Sequence, residues 1–244
     1  QENLTSMISE YGKQIRMARI IKEDGKTLIS ALDHGGEDAL LEGIENIYRI
    51  IDIVIKNGVD AILINEGIFR IYSSQIKARI PVIMNIPFET GFAEYALKLG
   101  ADAIKTTYFG PVPIPVEIAN KMRKIAKESD EFGIPYINEY IPLDDNNKIS
   151  TDSVLIARAA RAAAEYGADI VKTSYGTNFK KIVESCPVPI IIAGGDPKFG
   201  DIETIMKDVI KNGGAGGAIG RSIFQDKDPG RKVRNLVKIV HGSD

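Results

Sequence analysis

Short runs of apolar and β-branched residues alternate along the chain with longer segments whose apolar residues recur at helical spacing. This alternation is typical of βαβ units and predicts a parallel sheet. Eight runs are predicted as strands, at residues 28–33, 61–65, 82–86, 103–108, 136–140, 170–175, 189–193 and 217–220. Helical periodicity predicts helices over residues 40–57, 116–131, 153–166, 202–212 and 231–241.

A recurring turn connects several of these helices to the next strand. Gly58, Gly100, Gly167 and Gly213 each end a periodic segment just before a strand, which indicates left-handed helix termini of one design. Eight such units in 244 residues, close to the roughly 250 typical of the fold, predict a single-domain (β/α)8 TIM barrel over residues 1–244. A doubly wound open sheet is the alternative, because strand order is invisible in a sequence. An extra helix at residues 4–22, within the segment 1–26, is expected to cover the N-terminal end of the barrel.

Composition narrows the classes of partner. The formal charge is −2 and charges of both signs are mixed, which argues against nucleic acid and favours a small molecule. His34, His241 and Cys186 are the chain's only histidines and cysteine, so we expect no zinc site and no cofactor. No run is long and apolar enough to cross a membrane, and no signal-peptide pattern is present, so a soluble cytoplasmic protein is expected.

Lys172 lies inside an apolar strand, among β-branched residues. Burial strips an ammonium of its hydration and lowers the pKa of the lysine, which leaves a neutral amine able to attack a carbonyl and form a Schiff base. The phrase around it, at 167–176, also occurs at 100–108, where Lys105 takes the matching place. The alternative for either lysine is a salt bridge that closes the barrel mouth.

Polar residues gather at the predicted carboxyl ends of strands, where barrel enzymes place their catalytic groups. Alternation along the strands directs Lys172, Ser174 and Lys105 into one cavity. Glu139 stands on the strand between the two lysines, so the second ammonium would lower the pKa of the Schiff-base lysine and the carboxylate could move protons. Asp33 could hold the lysines or bind a substrate hydroxyl. Lys105, His34 and Ser174 are predicted to bind substrate or phosphate. For His34, a hydrogen-bonded residue that orders its loop is an equally supported alternative to a catalytic role.

The last two strands end in glycine-rich loops. Gly194 and Gly195 follow the seventh strand, and Gly220 and Arg221 follow the eighth. Bare backbone amides, a helix N-terminus and a guanidinium at these two loops predict a phosphate site, which this fold usually places there.

Four motifs, at residues 31–35, 169–175, 193–195 and 219–225, resemble those of the class I, Schiff-base aldolases of the archaeal fructose bisphosphate aldolase type. That superfamily also includes deoxyribose phosphate and tagatose bisphosphate aldolases. The resemblance runs from about residue 12 to 241. It implies a TIM barrel with Lys172 as the imine-forming residue, and a homo-oligomer.

One departure concerns the proton carrier. The archaeal fructose bisphosphate aldolases and the related aminodeoxyheptulosonate synthases have a catalytic tyrosine followed by proline at the end of strand five, whereas this chain has Glu139-Tyr140-Ile141-Pro142. A shift of one residue moves a side chain to the opposite face of a strand. Glu139 and Lys105 resemble the glutamate and lysine of tagatose bisphosphate and sulfofructose phosphate aldolases. Glu139 is therefore the predicted acid/base, with Tyr140 in reserve.

The resemblance implies an aldehyde-lyase of carbohydrate metabolism, such as glycolysis, that needs no metal. It would cleave a ketose phosphate of the fructose bisphosphate or sulfofructose phosphate type into dihydroxyacetone phosphate and an aldehyde. A transaldolase-like or thiolase-like Schiff-base transferase, of the aminodeoxyheptulosonate synthase type, is one alternative. A barrel that binds sugar phosphates without catalysis is the other.

Overall fold

Eight parallel strands close into a barrel in which each strand pairs with its neighbours in chain order and the last pairs with the first. This computed structural model describes residues 2–36, 41–194 and 199–242. The strands are β1 Thr27–Ala31, β2 Ala61–Asn65, β3 Val82–Asn85, β4 Ala103–Gly110, β5 Tyr136–Pro142, β6 Ile170–Thr173, β7 Ile190–Ile192 and β8 Gly216–Ile219. The closed order confirms the TIM barrel and excludes the doubly wound open sheet.

Helices surround this barrel and occupy the connections between strands. They are α1 Glu2–Ile20, α2 Ile47–Lys56, α3 Glu66–Ile76, α4 Ala93–Leu99, α5 Val116–Phe132, α6 Ser153–Glu165, α7 Phe179–Glu184, α8 Ile202–Lys211, α9 Arg221–Phe224 and α10 Pro229–His241. The sequence predicts that α2 starts at residue 40, which lies outside the described residues. The prediction is wrong for residues 41–46, which are not helical, because α2 begins at Ile47. Asn46 caps α2 by accepting a hydrogen bond from the backbone of Arg49, and Gly43 before it has a φ of +93°. None of the helices in the described ranges is long and apolar enough to cross a lipid bilayer.

The strands divide the apolar residues into two layers. Outward-facing side chains pack against the helices in a large continuous core. The inner layer is smaller and is filled by Ile20, Ile29, Ala31, Ala61, Leu63, Ile83, Ala103, Ile137, Ile170, Ile191, Ala215 and Ala218. Most of the strand residues among them lie in the N-terminal half or at the middle of their strands, and only the small side chains of Ala31 and Ala218 among them reach the cavity at the carboxyl end. Inward positions nearer the carboxyl ends are therefore left for polar side chains.

Aspartates stabilise the N-terminal end of the barrel. Asp60, Asp102 and Asp169 each precede a strand and accept a hydrogen bond from the first residues of the neighbouring strand, at Leu28, Val82 and Tyr136. The expected glycine turns come just before these aspartates at Gly58, Gly100 and Gly167, and a fourth at Gly213 precedes β8; all four glycines have positive φ. These turns therefore set the strand starts and carry no catalytic group.

Helix α1 contacts the same end of the barrel. Lys13 pairs with Asp169 at 2.8 Å, and Arg19 pairs with Asp102 at 2.8 Å. Ile20 at the end of α1 is fully buried within the inner layer. The helix thus fastens to several strand starts and leaves the opposite end of the barrel open.

Candidate active site

A cavity of about 720 Å³ opens at the carboxyl end of the barrel. Every strand end that bears a predicted functional residue in the described ranges contributes to its wall. The predicted residues that line it are Asp33, His34, Lys105, Glu139, Lys172, Ser174, Gly194, Gly220 and Arg221. Gly195 lies outside the described residues.

Four buried charged side chains form a chain at the floor of this cavity. Lys172 Nζ lies 2.8 Å from Glu139 Oε1, and Lys105 Nζ lies 3.0 Å from Glu139 Oε2. Lys105 Nζ also lies 2.9 Å from Asp33 Oδ2. Each of the four side chains is at most 8% exposed. Two ammonium groups and two carboxylates therefore balance in charge within a water-poor site, the condition under which buried charges are tolerated.

The strand register explains why Glu139 lies between the lysines. Glu139 is directly opposite Lys172 in the β5–β6 pairing and opposite Thr107 in the β4–β5 pairing. Lys105 stands two residues before Thr107 on the same face of β4, one layer deeper, and is 1% exposed. One carboxylate oxygen of Glu139 can thus contact the Lys172 ammonium while the other contacts that of Lys105.

Lys105 is fully engaged by the protein. Its ammonium donates to Thr107 Oγ1 at 2.6 Å and to Glu139, and it pairs with Asp33. Three partners match the three protons of an ammonium group. Lys105 thus contacts both carboxylates at the cavity floor and also lines the cavity, and its binding of substrate or phosphate stays a prediction.

The charges set the protonation of the carboxylates. Burial alone raises the pKa of Glu139, but the ammonium groups of Lys172 and Lys105 outweigh it and lower that pKa to about 2. Burial likewise raises the pKa of Asp33, but the charges of Lys105 and, next, Lys172 outweigh burial, so the pKa of Asp33 lies below its usual value. Burial lowers the pKa of Lys105, whereas Glu139 and Asp33 raise it by more. At neutral pH both carboxylates are ionised and Lys105 is charged.

Tyr140 does not reach the cavity. Its side chain is fully buried in the outer apolar layer, and its hydroxyl donates a hydrogen bond to the backbone oxygen of Pro111. Ile141, its neighbour on β5, faces the cavity in its place. β5 runs through both positions without a bulge, since residues 136–142 pair one for one with 104–110, so Tyr140 keeps the outward orientation that the one-residue shift predicts.

Small residues and one guanidinium form the side of the cavity next to β7 and β8. A Cβ at Gly220 would lie 2.3 Å from the His34 ring, so glycine is required for His34 to approach β8. Gly194 has a φ of +95°, a conformation that favours glycine. Arg221 is exposed, and its backbone N–H and that of Ser222 belong to the first turn of α9, beyond the reach of intrahelical carbonyls.

Three further contacts hold residues of the cavity wall in position. Ser174 Oγ donates to the backbone oxygen of Ser150 at 3.1 Å, which joins β6 to the segment after β5. The His34 ring packs edge-on against Phe224 at 5.4 Å and has a nitrogen 3.8 Å from Asp33. Asn65 Nδ2 donates to the backbone oxygen of Asp33 at 2.6 Å.

A family model agrees with this geometry. The model for DeoC/LacD family aldolases matches residues 27–226, which include every strand of the barrel. The chain belongs to the DeoC/LacD aldolase family.

Curated relatives of this DeoC/LacD aldolase cover nearly its whole length. A 2-amino-3,7-dideoxy-D-threo-hept-6-ulosonate synthase of Archaeoglobus fulgidus is 30% identical over 97% of this chain and 94% of the relative. One of Halobacterium salinarum is 31% identical over 96% and 93%. An uncharacterised aldolase of Saccharolobus solfataricus is 29% identical over 94% of both chains.

Solved structures support the fold of this family member. An archaeal fructose 1,6-bisphosphate aldolase superposes with a TM-score of 0.80 at 24% identity, covering 95% of this chain and 100% of the other. A Schiff-base-forming fructose 1,6-bisphosphate aldolase gives 0.79 at 24% identity, covering 93% and 99%. At this identity the likeness concerns the barrel alone.

Two cavity residues of this DeoC/LacD aldolase were not singled out from the sequence. Thr107 donates to Glu139 Oε2 at 3.0 Å and completes the Lys105 contacts. Phe109, two residues on, lines the outer part of the cavity. The alternation that places Lys105 inward also places 107 and 109 inward, so that signal was available in the sequence.

Proposed function

We propose that this protein is a class I aldolase that cleaves a phosphorylated ketose, with Lys172 as the imine-forming residue and without a metal ion. The observation that carries the proposal is the contact of 2.8 Å between Lys172 Nζ and a Glu139 carboxylate whose other oxygen is held by Lys105. A nucleophilic amine and an adjacent base at the floor of an open cavity are the parts that imine chemistry requires.

The two lysines differ in their surroundings, and this difference selects the nucleophile. Lys105 has two carboxylates and a hydroxyl around it, and its raised pKa keeps it charged. Among the described residues, the Lys172 ammonium contacts a single carboxylate, that of Glu139. Lys172 therefore needs to give up only one ion pair to react as the neutral amine, and it lies 7% exposed at the cavity.

In the proposed reaction, the Lys172 amine adds to the C2 carbonyl, and loss of water gives a protonated imine. The C4 hydroxyl passes its proton to Glu139 as the C3–C4 bond breaks. The bond's electron pair moves to the iminium nitrogen and yields a neutral enamine and an aldehyde. Glu139 then returns the proton to C3, and water hydrolyses the imine to release dihydroxyacetone phosphate.

Charge balance makes Glu139 suited to this proton transfer. Two positive charges hold its pKa near 2 in the resting site. When the iminium becomes a neutral enamine, one of those charges disappears, so the carboxylate becomes more basic at the moment it must take the proton. Lys105 keeps its charge throughout and holds the carboxylate in position.

Phosphate binding is assigned to the β7 and β8 side of the cavity. Arg221 supplies an exposed guanidinium, and the backbone at Gly194, Gly220 and Ser222 can approach a ligand closely. Asp33 and Ser174 line the cavity nearer the lysines, where they can contact substrate hydroxyls.

A Schiff-base transferase is the second candidate, because two relatives at 30% and 31% identity are 2-amino-3,7-dideoxy-D-threo-hept-6-ulosonate synthases. In that case the enamine on Lys172 would be transferred to a second carbonyl compound rather than protonated. Ile141 faces the cavity where the resemblance expects a tyrosine both in the synthases and in the archaeal fructose bisphosphate aldolases. The aldolase is favoured because Glu139 resembles the acid/base of the tagatose bisphosphate and sulfofructose phosphate aldolases.

Borohydride trapping tests the proposal. We expect intact and peptide mass spectrometry, after reduction with dihydroxyacetone phosphate present, to show an adduct on the peptide that contains Lys172. Lys172→Met should abolish it in a protein whose circular dichroism is unchanged, and Lys148→Met, at an exposed lysine outside the cavity, should leave it intact.

Two results would contradict the proposal. An adduct confined to Lys105 would exchange the roles of the two lysines. No adduct on a folded protein that still binds the phosphate would favour the non-catalytic sugar-phosphate-binding barrel.

A further inference from the structure

Large apolar side chains lie in the cavity wall opposite the phosphate side, with Thr107 and Thr151 beside them. Phe109 at the end of β4, Ile141 on β5 and Ile149 just beyond β5 all line it. Phe109 is 49% exposed and Ile149 is 55% exposed, although both are large hydrophobic residues. Ile149 is held by an antiparallel bridge to Leu143, so a hairpin after β5 fixes it at the cavity lip. Exposed apolar side chains that converge on a cavity favour an apolar ligand group.

Barrel order places this wall at a defined part of the substrate. The strands run β8, β7, β6, β5, β4 around the barrel. A ketose with its phosphate near Arg221 and its carbonyl on Lys172 meets Glu139 with its C4 hydroxyl. C4 and the carbons beyond it leave as the aldehyde. The carbons beyond C4 then lie next to β5 and β4, against Ile141 and Phe109.

No side-chain cation on this wall could receive a second anionic group, as far as the described residues extend. The loops that follow β3, β4, β5 and β6 are all described, and Lys148 is the basic residue among them. Lys148 does not line the cavity and shares its turn with Asp144 and Asp145. His34 lies against Gly220 on the phosphate side, and Lys105 is already engaged by Asp33 and Glu139.

We propose, on the basis of the aldolase function above, that the aldehyde half of the substrate is short and uncharged. Beyond the hydroxyl-bearing carbon next to the aldehyde group, it is apolar. The ketose then carries one phosphate. A second phosphate or a sulfonate at the far end would lose its hydration against Phe109 and Ile149 without gaining a counter-charge. This selects against substrates of the fructose bisphosphate and sulfofructose phosphate types.

Condensation with matched aldehydes tests the inference. Lactaldehyde, glyceraldehyde and glyceraldehyde 3-phosphate share a 2-hydroxyaldehyde and end in a methyl, a hydroxymethyl and a phosphate ester. With dihydroxyacetone phosphate as donor, we expect kcat/KM to fall in that order, with lactaldehyde at least about tenfold above the phosphate ester. A higher value for glyceraldehyde 3-phosphate, in protein that traps dihydroxyacetone phosphate on Lys172, would overturn the inference and leave the aldolase function standing. Absence of trapping would overturn both.

A charge placed on the wall gives a second measurement. Phe109→Arg should shift the preference toward glyceraldehyde 3-phosphate by at least about tenfold, because the guanidinium supplies the missing counter-charge. Phe109→Leu keeps the wall apolar and should preserve the order of the three aldehydes. Trapping of dihydroxyacetone phosphate by both variants shows that the site is intact. An unchanged ratio in a Phe109→Arg protein that traps normally would show that the aldehyde does not meet this wall.

Discussion

Glu139 contacts both lysines, one with each oxygen of its carboxylate. One oxygen faces Lys172, where a proton must be moved, and the other is anchored by Lys105 and Thr107. A base held on one side by a permanent charge keeps its orientation while the charge on the other side changes. In the proposed reaction, the residue that forms the imine and the residue that positions Glu139 are both lysines, and they differ in their surroundings.

Glu139→Gln should lower kcat by about 10²- to 10⁴-fold, because the proton of the C4 hydroxyl loses its acceptor. Borohydride trapping of dihydroxyacetone phosphate on Lys172 should still reach completion, since trapping does not require C–C cleavage. Comparison of turnover with the trapping endpoint checks this.

Tyr140→Phe is the neighbouring control. It removes the hydroxyl that donates a hydrogen bond to the Pro111 carbonyl. We therefore expect a loss of about 1 kcal/mol in stability and a kcat within a few-fold of the parent. Urea denaturation and turnover measure the two effects. If Tyr140→Phe lost activity as severely as Glu139→Gln, the assignment of the proton carrier would have to be reversed.

The sequence predicted the charged members of this cluster because each stands at the carboxyl end of a strand. It could not predict which charge pairs with which, since the pairing depends on the stagger between strands. The stagger places Thr107, rather than Lys105, beside Glu139. For that reason the contacts of Lys105 with Asp33 and Thr107 were not predicted.

At the scale of elements, α1 is held to the barrel mainly at its C-terminal end. Ile20 is fully buried in the inner layer, whereas Ile8, Tyr11 and Ile15 remain more than half exposed. Ile20 is the fully buried side chain that α1 contributes to the inner layer, and Met17 packs against that layer. Ion pairs with strand starts and a hydrogen bond from Arg16 to the Gly133 backbone oxygen hold the rest of the helix.

Ile20→Ala should destabilise the fold by about 2–5 kcal/mol, through lost burial and the cavity left behind. Ile15→Ala makes the same change on the same helix at a side chain that is 59% exposed, and it should stay within about 0.5 kcal/mol of the parent. Chemical denaturation of both variants measures the difference. Equal effects would mean that helix propensity, and not insertion into the barrel, governs the contribution of α1.

The strands were predicted within a few residues because β-branched runs and glycine turns mark both of their ends. The start of α2 was predicted too early, although Asn46 is a residue type that commonly caps helices. Apolar residues at 41 and 44 continued the helical spacing into a segment that Gly43 turns, and a Cβ at Gly43 would lie 2.0 Å from the backbone oxygen of Phe224. A contact between residues so far apart in the chain cannot be inferred from local periodicity.

At the scale of the whole molecule, the two ends of the barrel have different chemistry. The N-terminal end is fastened by aspartates that receive backbone N–H groups and side-chain cations, and the carboxyl end carries the buried lysines and the cavity. Substitutions at the first end are therefore expected to change stability with little effect on turnover.

His241 on α10 joins three parts of the chain at the N-terminal end. Its Nδ1 lies 2.8 Å from Asp24, between α1 and β1, and its Nε2 lies 2.9 Å from Asp60, before β2. The hydrogen bond with Asp60 raises the pKa of His241, burial opposes it, and Asp24 adds to the rise. The imidazolium thus bridges two carboxylates and links the last helix to the first two strands.

This bridge predicts a pH dependence of stability with a definite sign. The unfolded chain releases the His241 proton near pH 6.5, and the folded protein holds it to a higher pH. The stabilisation is therefore complete below about pH 6.5 and is lost as pH rises through the folded pKa. The free energy of unfolding, measured in urea between pH 5.5 and 9, should fall across this window in the parent. In His241→Gln it should be lower at pH 6 and should lack that decline, because glutamine cannot carry the charge. A decline of the same size in the variant would assign the pH dependence to other groups.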